Sequence, residues 1–107
     1  MNFLFSSKDE FKKDLIKRVN KIKNIIEKVE KKYGNNSKVL IKDSAIIDLK
    51  KTLIWALNYL AILNDSNKVK EYKDKVIEKL AYIRENKILT LNQYKDVYNL
   101  LEQILML

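Results

Sequence analysis

The chain has no proline and a single glycine, Gly34, in 107 residues. Tight turns draw on glycine for positive φ and on proline for a fixed φ. A sheet-rich fold, with a reversal every few residues, is therefore disfavoured. What remains is a few long helices joined by short polar loops. Apolar residues make up 47% of the chain, enough to bury one core, and the length fits a single domain over 1–107.

Hydrophobic periodicity divides the chain into four helices. The first is expected from about Lys8 to Tyr33, with Phe11, Leu15, Val19, Ile22, Ile26, Val29 and Tyr33 stepping by three or four along one face. Ser7 and Glu10 have capping-box spacing at its start, and Gly34 stands where a helix ends in a left-handed residue. The second helix is expected over roughly Ser44 to Leu63, or from a turn earlier, with Asp43 or Ser44 as cap. Its inner stripe is Ile46, Leu49, Leu53, Ala56, Leu60 and Leu63. Ile47, Ile54, Leu57, Ala61 and Ile62 widen that stripe, which calls for two or three packing neighbours. Trp55 and Tyr59 form a partly exposed aromatic ridge or, the preferred reading, pack at the core edge.

Asn64-Asp65-Ser66-Asn67 is a loop and cap signal. The third helix follows to about Asn86, with Val69, Tyr72, Val76, Leu80 and Ile83 inside, Ile77 alongside, and mixed charges outside. Thr90 and Gln93 give a second capping box, and Leu89 can staple onto Tyr94. Tyr94, Val97, Leu101 and Ile104 make the last stripe, flanked by Tyr98 and Leu105. Short connections make consecutive helices antiparallel neighbours. The expected fold is all-α, an antiparallel four-helix bundle.

The chemistry available to such a chain is narrow. It has no cysteine and no histidine, so it lacks a thiolate, an imidazole base and the commonest metal ligands. It also lacks a glycine-rich phosphate loop, and its acids are scattered among lysines. The expectation is a protein that is not an enzyme and uses no cofactor or metal. The longest apolar run, Thr52 to Leu63, is interrupted by Asn58 and falls short of the ~18–20 residues that cross a bilayer. The apolar opening from Met1 to Phe5 turns polar at Ser6, too soon for a secretory signal.

The net charge is +8, carried by lysine except for Arg18 and Arg84. A positive field attracts nucleic acid, anionic lipid or acidic partners. Evenly spread lysines fit solvated helix faces better than a nucleic-acid footprint, which clusters arginine and lysine with aromatics. Function is then expected to lie in surface recognition.

Two stretches carry a resemblance. Met1 to Glu10, MNFLFSSKDE, and Ile83 to Ile104, IRENKILTLNQYKDVYNLLEQI, resemble the opening and the last helical hairpin of immunity proteins for pediocin-like bacteriocins of the piscicolin and enterocin A types. The matching hairpin positions are Ile83, Arg84, Asn86, Leu89, Thr90, Gln93, Tyr94 and Leu101. Ser6-Ser7 stands where the family often has Gly-Gly. The resemblance implies an antiparallel four-helix bundle in the producer's cytosol, with a place at the inner face of the membrane allowed. Its implied partner is the mannose phosphotransferase permease held by the bacteriocin, met from the cytosolic side without a transmembrane segment. The expected partner-binding residues are Arg84, Asn86, Lys87, Ile88, Tyr94 and Tyr98. The alternatives are a helical adaptor for another protein and a small basic nucleic-acid-binding protein.

Overall fold

The computed structural model describes residues 3–35, 38–42, 44–64 and 66–107, with side chains from Lys8 onward. Among these residues there are four helices, α1 (Phe3–Tyr33), α2 (Ser44–Leu63), α3 (Asn67–Glu85) and α4 (Leu91–Leu105), and two short strands, β1 (Leu40–Ile41) and β2 (Leu89–Thr90). The fold is an all-α, antiparallel four-helix bundle. No helix among the described residues is long and apolar enough to cross a membrane.

The α1 stripe behaves as its spacing requires: Leu15, Val19, Ile22 and Ile26 are buried. The helix opens earlier than the capping signal indicated, at Phe3. Ser7 therefore lies within helical backbone and is not its N-cap. No glycine or proline between Phe3 and Lys8 interrupts the turn, and serine is tolerated inside a helix at small cost. At its other end Gly34 has φ 72° and donates its N–H to the Glu30 carbonyl at 2.7 Å, closing the helix as expected.

Helix α2 begins and ends where its pattern predicts. Ser44 is its first helical residue, and the other candidate cap, Asp43, lies outside the described residues. Leu49, Leu53, Ala56 and Leu60 are fully buried. Helix α2 packs against both α1 and α3, and α4 lies on α1 and α2, whereas α3 and α4 approach each other little. The widened α2 stripe is thus only partly covered: Leu57 is half-buried, but Ile47 and Ile54 remain exposed.

Tyr59 is buried, not part of an exposed ridge, and burial followed by the charge of Asp9 raises its pKa. Trp55 is half-buried and stacks on Phe11 at 4.8 Å, with the Arg18 guanidinium 4.6 Å from its ring centroid. These contacts join α1 to α2 by ring stacking and a cation–π contact.

The two strands were not legible in the pattern. Leu40 pairs with Thr90 and Ile41 with Leu89, antiparallel. Alternation turns Ile41 and Leu89 into the core and leaves Leu40 exposed. The Leu91 N–H donates to the Val39 carbonyl at 3.0 Å and extends the tie. This ribbon clamps the α1–α2 connection to the α3–α4 connection at one end of the bundle.

Candidate recognition surface

The α3–α4 connection is held from both sides. Helix α3 starts on the Ser66 cap, whose hydroxyl accepts the Val69 N–H at 3.2 Å. It ends at Asn86, where the backbone N–H and the side-chain Nδ2 both donate to the Tyr82 carbonyl at 3.0 Å. That carbonyl would otherwise be an orphan of the last turn. On the far side Thr90 and Gln93 form the reciprocal capping box: Thr90 N–H donates to Gln93 Oε1 at 2.8 Å, and Gln93 N–H to Thr90 Oγ1 at 3.3 Å. Gln93 Nε2 also donates to the Tyr82 hydroxyl, joining the two helices across the turn.

Between these anchors Lys87 and Ile88 stand exposed, with Ile88 44% accessible. Arg84, the penultimate residue of α3, is exposed beside them. Arg84 and Lys87 line a shallow depression of about 290 Å³ with Ile83, Ile46, Ile47 and Lys50. Among the described residues Lys50, Arg84 and Lys87 form no ion pair. The patch is basic with an apolar floor.

The structure gathers three of the six expected contact residues into this region and separates the others. Asn86 is half-buried and its amide is committed to the helix end. Tyr94 is fully buried, and its hydroxyl donates to the Ala45 carbonyl at 2.9 Å. Burial and then the Asp48 charge raise its pKa well above the ordinary phenol value. It cannot meet a partner at the surface, because α2 already covers it. Tyr98 is half-buried and lines a separate groove between α1 and α4 with Lys23, Glu27, Glu30, Lys95 and Asn99. Burial first, then Glu102 and Glu27, push its pKa up.

Ile47 and Lys50 were missed as members of the depression. Ile47 was assigned to the widened inner stripe of α2, and its adjacency to Arg84 depends on the α2–α3 register. A helical pattern contains no such information.

The acids of the described residues that form ion pairs do so with lysines: Asp48 with Lys21 at 3.1 Å, Glu30 with Lys95 at 2.8 Å, Glu71 with Lys75 at 3.2 Å, and Asp96 with Lys79. Three of these pairs link different helices. Together they hold α4 to α1 and brace the open side between α3 and α4. No cluster of three or more potential metal ligands occurs among the described residues. No protein-family model matches the chain, and no curated protein or solved structure matches it either.

Proposed function

We propose that this protein is a non-enzymatic recognition bundle that confers immunity to a pediocin-like bacteriocin, acting in the cytosol on the bacteriocin-bound mannose phosphotransferase permease. The observation that carries the reading is the pre-organised turn between α3 and α4, which lies in the hairpin that resembles those immunity proteins. Arg84, Lys87 and Ile88 project from a segment fixed by the Asn86–Tyr82 bonds, the Thr90–Gln93 box and the β1–β2 ribbon. A fixed turn loses little conformational entropy on binding. Arginine beside an apolar residue is a frequent interface anchor. Such a surface can lock or occlude a membrane protein's cytosolic loops with no bond made or broken.

The test is protection of a sensitive strain that expresses the intact protein. Survival against a panel of pediocin-like bacteriocins, lowered about tenfold or more by Arg84→Ala combined with Ile88→Ala, supports the reading. Melting must be unchanged in that variant. Grafting Ile83–Leu107 onto a related immunity bundle should transfer the specificity, whereas grafting α1 should not. If the intact protein protects against no member of the panel, including any such peptide encoded beside its gene, the reading falls.

A further inference from the structure

Helix α2 has only one carboxylate, Asp48, and this is paired with Lys21 on the side facing α1. Its outward face holds Ile47, 54% exposed, and Ile54, 43% exposed. The depression shared by Ile47 and Arg84 fixes the register of α2 against α3. Ile54 lies seven residues beyond Ile47, and Ile77 seven residues before Arg84. Seven residues are nearly two full turns, so each lies on the same side of its helix, about 10 Å along. Since the helices are antiparallel, this register places Ile54 and Ile77 at the same level of the same seam. Ile77 is 54% exposed.

The borders of this seam are basic. Lys50 flanks it between Ile47 and Ile54, Lys73 lies one turn before Ile77 at its far end, and Arg84 and Lys87 lie at the other end. Of the acids of α3, Glu78 lines the α3–α4 groove and Glu71 is paired with Lys75, while the exposed Asp74, three residues before Ile77, stands at the rim of the seam and is outnumbered there by Lys50, Lys73, Arg84 and Lys87. Isolated exposed aliphatics are ordinary. Three isoleucines on one seam, bordered by cations and free of α2 carboxylates, make a patterned surface.

We propose that the α2–α3 face docks on an anionic lipid bilayer, with the three isoleucines at the acyl boundary and the lysines among the headgroups. Lysine is a flexible point charge whose stem can lie along apolar surface while its ammonium reaches outward. That suits a diffuse layer of lipid phosphates better than bidentate recognition, which favours arginine. Isoleucine gains nothing from a nucleic-acid backbone. A second copy in the same register would bring like charges together. This inference goes beyond the immunity reading and does not depend on it.

The experiment is co-sedimentation of the full chain with phosphatidylcholine vesicles, with and without about one-third phosphatidylglycerol. Binding to the anionic vesicles alone is expected, weakening severalfold as salt rises from roughly 50 to 500 mM. Ile54→Gln with Ile77→Gln should lower partitioning about tenfold at unchanged melting, while Ile16→Gln on α1 should not. The chain has no cysteine, so Ile54→Cys and Ile16→Cys can each carry a single spin label. Contact of the first label, and not the second, with lipid-soluble oxygen supports docking even if the double variant fails to fold. Equal binding to neutral vesicles, no binding, or an unaffected double variant overturns the proposal. So does a double variant that loses self-association or duplex binding and keeps its vesicle binding. Protection of cells without vesicle binding removes the docking face and leaves the immunity reading standing. Vesicle binding without protection does the reverse.

Discussion

Tyr94 is where a surface role and a core role give opposite results. Its ring is fully buried and its hydroxyl reaches the Ala45 carbonyl at 2.9 Å. Tyr94→Phe removes one hydrogen bond and keeps the ring. In an α-helix the Ala45 carbonyl also accepts from the amide four residues on, so it is not left orphaned. The expected cost is therefore at the modest end for a lost bond, about 0.5–1.5 kcal/mol. For a domain near this size, that lowers Tm by roughly 4–8 °C per kcal/mol. Tyr94→Ala also opens a cavity and should cost about 3–5 kcal/mol.

The pH dependence gives a second readout. The folded pKa of Tyr94 is raised, by burial first and the Asp48 charge second. A raised pKa means that the fold favours the neutral phenol. Its contribution is whole below the unfolded value of about 10 and declines as pH climbs beyond it. Tyr59 and Tyr98 act in the same direction. Urea unfolding followed by circular dichroism should thus lose stability above about pH 10, less steeply in Tyr94→Phe. Unchanged neutral stability and an unchanged alkaline slope in Tyr94→Phe would refute the buried hydrogen bond. Loss of partner recognition in that variant would return Tyr94 to the surface set.

Three further substitutions probe separate devices. Leu60→Ala, at a fully buried site on α2, should cost about 2–5 kcal/mol in urea unfolding; a loss below about 0.5 kcal/mol would put that stripe outside the core. Thr90→Ala breaks the capping box of α4 and should cost about 1 kcal/mol, with faster hydrogen exchange at the Gln93 amide. Gly34→Ala meets open space but keeps φ at 72°, so its cost of about 1–2 kcal/mol is backbone strain alone; an unchanged melting curve would mean that the chain leaves α1 differently.

Local signals were readable wherever one turn of chain contained the whole device. Gly34 and the Thr90–Gln93 box each satisfy orphan groups within a few residues, and the four-residue loop and cap signal before α3 contains the capping Ser66. The ends of α2 were equally clear, because its apolar run has polar residues on both sides. The same logic misled at Ser7, where the right residue types stood in a segment that simply continues as helix. The β1–β2 ribbon was invisible for another reason. It pairs two short segments far apart in sequence, and neither is long enough to display alternation. Tyr94 was legible in two ways, as a stripe position and as a favoured interface residue. The stripe prevailed because α2 passes directly over it.

The exposed isoleucines are the part of the surface that stability alone does not explain. The core cluster closes without Ile47, Ile54 or Ile77. Helical periodicity indicates that a face is apolar, but the number of neighbours covering it is a tertiary property. Here α4 lies on α1 and α2 and keeps little contact with α3, so among the described residues no helix covers the outer α2–α3 seam. Replacing these side chains with polar residues should therefore change folding stability by no more than about 0.5 kcal/mol. The turn at Arg84, Lys87 and Ile88 adjoins the same seam through Ile47 and Lys50. A bundle resting on lipid through that seam would hold the turn close to the membrane plane, within reach of short cytosolic loops. The two surfaces still separate by substitution. Ile54 and Ile77 lie away from the turn, whereas Ile88 is on it. Vesicle binding should respond to the first pair and cell protection to the last, and a single surface serving both roles would show the two losses together.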